Sequence, residues 1–426
     1  MKRLLAPLLV LAAAAAPAED PYEQAPIFYS ESQPNDPAQK LEKLLRSGQA
    51  KIDRSDAWTV LRDLMRHLKI PEESQVMVFS KTSKQNDLIH PQTPRVVYFG
   101  DEAYLGYCLG GSIEVATIDP RLGPIFYLLD PDVPAKQPLH FERDQSCLSC
   151  HGGVFSPGVP GVLVRSVFPG PAGHPIMSQG STVVDSTTPF ESRWGGWYVT
   201  GRHGEALHRG NVTAIELPDN SCDLPVDKGA NLTSLTALFD TSPYPRGTSD
   251  IVALMVLEHQ TGVQNVLTKA NHAALRAMHM QTSLQRELGE PVQLQPVGTA
   301  RRIIDHSAED VLDALLFKDE APLPEGGIEG DGAFEAAFAQ LDSHRRDGRS
   351  LRDFQLHTRL FKYRCSYMIH SQTFAHLEPS LKQTVLERLA TVLDGRDTSG
   401  RYDHLGDSER KHIRAILGDL LPPADG

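Results

Sequence analysis

Cys147-Leu148-Ser149-Cys150-His151 has the residue types and spacing of a c-type haem attachment sequence, C-x-x-C-H. The chemistry is specific: two thiols add across the haem vinyl groups as thioethers, and the adjacent histidine becomes the proximal iron ligand. Two intervening residues let one turn of chain present both sulfurs and the imidazole to a single porphyrin. Two other chemistries use paired cysteines. A structural zinc site needs a second ligand pair at finger-like spacing, and the remaining Cys108, Cys222 and Cys365 are single and far apart. A redox dithiol opens a helix within a βαβ unit, whereas this motif follows Asp144-Gln145-Ser146 and runs into Gly152-Gly153. One covalent haem c with its iron is therefore the expected cofactor, since no second C-x-x-C-H occurs. The three leftover cysteines allow one disulfide in an oxidising compartment or three buried thiols, and the sequence does not choose between them.

With His151 on one side of the iron, the opposite axial position decides the chemistry. A Met or His there gives a closed electron carrier, and an open position gives peroxide, oxygen or nitrogen-oxide chemistry. His259 is the first candidate, because it lies on the apolar stripe of the strongest helical pattern, one turn after Met255. Glu258 is about 100° around that helix and should not share the contact. His208 follows, in a polar glycine-rich loop like that of His203, and then Met177, after Pro175-Ile176. Each has a plainer role available: a hydrogen-bonded core histidine for His259, a surface or hydrogen-bonding histidine for His208, and packing for Met177. Arg193-Trp194-Gly195-Gly196-Trp197 offers large aromatic surface with glycines that permit close approach to a flat ring. Trp194 and Trp197 are candidate haem contacts, and Arg193 a candidate propionate partner. An ordinary strand and turn would use the same residues.

The elements that must position these groups can be read in outline. Lys2 and Arg3, the apolar Leu4 to Ala15, and Ala16-Pro17-Ala18 form a secretory signal pattern, so 1–18 is expected to be cleaved. Residues 19–40, rich in Pro, Asp, Glu and Gln, read as a mobile tail. Leu41 to Lys69 carries helical spacing broken near Ser47-Gly48. Five short β-like runs follow between Val76 and Leu128, then Val162–Val167 and Gly196–Thr200, punctuated by Gly and Asp-Pro turns. From Ser249 to about Leu288 the pattern is helical, with Gly262 the place for a break or a close approach. Ser307–Phe317, Leu356–Ile369, Leu381–Leu393 and Glu409–Leu421 are further expected helices. Residues 319–332, acidic and rich in Gly and Pro, read as a linker. The expected fold is α+β: a β-rich, haem-bearing part over 41–318 and a mainly helical C-terminal domain over 333–426.

The segments IEVATIDPRLGPIFYLLD, RWGGWYVTGRHG, SDIVALMVLEHQ and RLFKYRCSYMIHS resemble those of large exported bacterial proteins with one cytochrome c motif, the cytochrome c domain-containing proteins. The resemblance covers most of residues 75–420 and implies haem c and export, with no substrate. A formal charge of −12 argues against nucleic acid and anionic membranes as main partners, and no later stretch is long enough to span a membrane. The expected protein is a periplasmic or otherwise extracytoplasmic monohaem cytochrome that passes electrons to a redox partner protein. Two alternatives stand: a haem enzyme with an open distal site, since a carrier does not need this length, and a haem-bearing sensor or binding module.

Overall fold

The computed structural model describes residues 20–134, 136–153 and 155–423. The expected signal segment 1–18 lies outside them. Asp36 opens the first helix, α1 (Pro37–Arg46), by accepting from the Gln39 N–H, with Pro37 at the position where no N–H is needed. Asp56 caps α2 (Ala57–Leu68) in the same way, and Lys69 ends it in the left-handed region, φ 57°. The chain then folds into an antiparallel meander of β1 (Val76–Val78), β2 (Arg95–Phe99), β3 (Ala103–Tyr107), β4 (Ile113–Asp119), β5 (Gly123–Leu129) and β6 (Glu142–Arg143). A single helical turn, α3 (Leu148–His151), carries the cysteine motif. The hairpin β7 (Arg165–Val167) and β8 (Ser181–Val183) follows it. Then β9 (Trp197–Tyr198) returns to pair with β1, as Met77 opposite Tyr198 and Val78 opposite Trp197.

Alternation decides which side each strand residue serves. Val96, Tyr98, Leu105, Val115 and Ile125 pack with Leu61, Leu64 and Met65 of α2 and Leu41 of α1. Val97, Phe99, Tyr104, Ala116 and Phe126 face the opposite core, built on α4 (Ile251–Glu287). Buried on both faces, the sheet is covered by helices on both. The Asp250 carboxylate caps α4 through the N–H groups of Val252 and Ala253, at 2.8 and 3.1 Å. Beyond it come α5 (Gly298–Leu315), α6 (Ala333–Gln340), the short α7 (Gln372–Ala375), α8 (Pro379–Leu393) and α9 (Asp407–Leu417). The fold is α+β, with an antiparallel seven-stranded sheet in the N-terminal half and helices in the C-terminal half. Among the described residues no helix is long and apolar enough to cross a membrane.

Four local expectations are corrected. Residues 20–40 are not a tail: Tyr22, Ile27 and Tyr29 are buried, and the Tyr29 hydroxyl donates to the Pro124 carbonyl at 2.7 Å. Residues 319–332 are not a free linker. Leu323 and Ile328 are buried, Arg202 and Glu329 exchange backbone hydrogen bonds of 2.9 Å, and the Ile328 N–H donates to Leu356 O. One apolar core runs from Val76 to Leu421 across that segment, so it is a seam within one body. Gly262 does not break α4; a Cβ there would meet the Cβ of Asp185 at 3.3 Å, which is the close approach. Leu356–Ile369 is mostly irregular. The Gln355 amide oxygen accepts from the backbone N–H groups of His357, Thr358 and Arg359, and the Arg359 guanidinium donates to Phe361 O and Lys362 O. Such local side-chain bonds compete with a helix.

Candidate functional site

Asp144 sets up the motif. Its carboxylate accepts from the Ser146 N–H at 2.9 Å and pairs with Lys84, whose ammonium also reaches the Ser146 hydroxyl. A 3₁₀ turn over Gln145–Cys147 then feeds α3, and the Gly152 N–H donates to Leu148 O to end it. In this turn Cys147 and Cys150 are three residues apart and His151 four from Cys147, so all three share a face. Cys147 is half-buried against the α4 core and Cys150 is exposed. Leu148 points inward as the wedge between the two apolar cores. A Cβ at Gly152 would meet the Tyr22 hydroxyl at 2.6 Å, so the N-terminal segment packs directly on the motif.

His151 is held from behind. Its Nδ1 lies 2.8 Å from the Gly161 carbonyl, which can only accept, so Nδ1 carries the proton and Nε2 keeps its lone pair. Among the described residues no hydrogen bond occupies Nε2. The ring leans on Phe126 of β5, centroids 4.6 Å apart. Gly161 is fixed in turn by α4. The Asn265 side chain accepts from Val162 N at 3.0 Å and donates to Val162 O at 2.8 Å, and a Cβ at Gly161 would strike its oxygen at 2.7 Å. These bonds take the Val162 groups a strand would use, which is why β7 starts only at Arg165.

Burial pushes the His151 imidazole below the usual range, so it stays neutral, as a metal ligand must; the Gly161 carbonyl works the other way. Burial, then Asp144, pushes the Cys147 thiol up to about 11. It is therefore not an activated thiolate of the redox-dithiol kind. Arg165 lies over the Phe155 ring at 3.8 Å and, with the cross-strand pair Arg95 and Glu114, supplies the charges that act on His151. One exposed and one half-buried sulfur with an oriented, neutral imidazole on a single helical turn are the donor set covalent haem uses. Zinc finds no such support: among the described residues the one close set of three His, Cys, Asp or Glu ligands is Asp250, Asp331 and Glu335 at the α4 cap.

The other candidates are placed elsewhere. His259 is buried with Nε2 2.7 Å from the Ser366 hydroxyl and its ring stacked on Phe317 at 4.4 Å. Six residues separate it from Asn265, about 9 Å along α4 and about 120° around it. It faces the C-terminal helices while Asn265 faces the motif, so the two histidines are not brought together. Glu258 does take a different side, as expected. His208 is buried against Phe190, Trp194 and His203, and its Nδ1 accepts from the Gly210 N–H. Met177 is 79% exposed in a turn of the loop between β7 and β8.

Arg193 points inward: it donates to Glu258 at 2.5 Å and to Thr188 O, so it is engaged and not free for a propionate. The Trp194 indole N–H donates to the same carboxylate. Burial pushes that carboxyl up, to about 7, while Arg193 and Trp194 oppose the shift. The Trp197 indole N–H donates to Arg165 O at 2.8 Å. Cys108, Cys222 and Cys365 are all free thiols, the first and last buried. Gly161, Asn265, Phe126 and Arg165 were missed in the sequence. Asn265, a polar residue inside the longest helical pattern, was the one with a signal. No family model, curated protein or solved structure matches the chain.

Proposed function

We propose that this chain is an exported monohaem c-type cytochrome, with haem bound through Cys147 and Cys150 and iron held by His151. The observation that carries this reading is the Gly161 carbonyl behind His151 Nδ1, which fixes the tautomer and aims a bare Nε2 from the turn bearing both cysteines. Haem c supplies one-electron chemistry when bound. The chain's own part is orientation and insulation. Asn265 locks Gly161, Gly161 locks the imidazole, and Phe126 backs the ring with apolar surface. Exposed Cys150 leaves one edge of the site open toward solvent, where a redox partner protein could approach.

A second reading, a haem enzyme or gas sensor with an open distal position, is favoured by one specific observation. The distal candidates are placed otherwise: His259 Nε2 is held by the Ser366 hydroxyl, His208 Nδ1 accepts from the Gly210 N–H, and Met177 stands 79% exposed. The test is made on protein exported by a host that matures c-type haem. Haem should stay on the polypeptide after denaturing electrophoresis, and intact mass should show one haem added. Cys147→Ser with Cys150→Ser should lose it. An exported, folded, haem-free wild-type protein would end the proposal. Carbon monoxide then separates the readings, because a reduced protein that ignores it is a carrier and one that binds it readily has an open iron.

A further inference from the structure

We propose that the end of α4 and the loop after it form the two-fold contact of a dimer of this chain. The region inverts the usual distribution of side chains. Gln281 and Gln285 are buried, while Met280, Leu284 and Leu288, one residue step around the same helix, are exposed. The loop adds Val292, Leu294 and Val297, also exposed, with Leu294 at 84%.

The arrangement is built and not frayed. Gln281 donates to the carbonyls of Gln293 and Gln295 at 3.1 and 3.0 Å and accepts from the Val297 N–H at 2.8 Å. Gln285 accepts from the Gln293 N–H at 3.0 Å. Two buried glutamines thus tie the loop backbone along α4 and leave its apolar side chains outward. Six large apolar residues, each 41% or more exposed, lie on this tied segment, at the scale of the largest patch a monomer carries, which is often functional. With a polar rim such a patch approaches the ~800 Å² each partner gives a stable interface.

The rim selects a second copy over a lipid surface. It mixes both signs, Arg276, Arg286 and Arg302 with Glu287 and Glu290, whereas anionic lipid recognition needs a purely basic cluster. Arg301 is already taken by Asp305 at 2.9 Å. A two-fold axis at Leu284 makes the patch complementary to itself. Antiparallel pairing there sets Met280 opposite Leu288 of the second copy and carries Glu287 and Glu290 toward its Arg276 and His279.

Sedimentation velocity on the full chain over a concentration series tests this. The wild type should form a dimer. Leu284→Arg, which places like charges at the axis, should weaken it by more than roughly tenfold. Its circular dichroism and melting should be unchanged, because Leu284 is exposed. Glu290→Arg should weaken the dimer and Arg276→Glu added to it should restore it. A wild type that stays monomeric throughout, a dimer indifferent to Leu284→Arg, or a monomer that floats with phosphatidylglycerol vesicles would overturn the proposal.

Discussion

Asn265 does for this site what no residue of the motif can do for itself. Its amide satisfies both backbone groups of Val162 and so fixes the carbonyl that orients His151. Asn265→Ala should cost about 1–3 kcal/mol in urea unfolding, because buried polar groups lose their partner. On the proposed haem reading it should also broaden the haem spectrum while leaving the haem attached. Glu258, fully buried, answers both Arg193 and Trp194. Glu258→Ala strands a buried guanidinium and should destabilise by about 3–5 kcal/mol, while replacing the pair together with apolar residues should cost much less. Neither change should remove covalent haem, and denaturing gels check that.

At the scale of elements, what the sequence shows depends on whether a pattern is local. Strands β2 to β5 were legible because alternation and Gly turns lie within a few residues of one another. The long helix was legible from its apolar stripe. The turn that brings Cys147, Cys150 and His151 onto one face was legible from their spacing. The 356–369 stretch was not, because its apolar spacing fits a helix while Gln355 and Arg359 bind the backbone locally instead. The packing of 319–332 was equally hidden: its composition gives a loop, and only the fold shows that Arg202 and Leu356 receive it. No one-dimensional pattern could have paired Val162 with Asn265.

The helical layer also sets acid behaviour. Burial pushes His259 and His208 down to about 3 and His272 to about 4, from 6.5. The unfolded chain therefore binds protons that the folded chain refuses. Their stabilisation is full above pH 6.5 and is lost as pH falls from there toward about 3. Urea midpoints should drop over that window, and His259→Gln should flatten the drop. An unchanged slope in that variant would remove His259 from the explanation.

For the whole molecule, one core runs through the 319–332 segment and the other ties residues 22–41 to the sheet. Chemical unfolding should therefore show one transition by fluorescence and by circular dichroism alike. Limited proteolysis should spare 319–332, and a stable fragment ending there would show separable units after all.

The same continuity governs the order in which the protein can come into being. The sheet is complete once β9 is made, but the core it shares with α4 is finished by residues as late as Ile413, Ile416 and Leu421. A chain delivered N-terminus first must carry part of that core uncovered until its final helix arrives. Over that interval it is open to mispairing with its neighbours. Loss of α9 alone should thus be felt during biogenesis, as aggregation and low yield, well beyond what the missing contacts would remove from the finished fold.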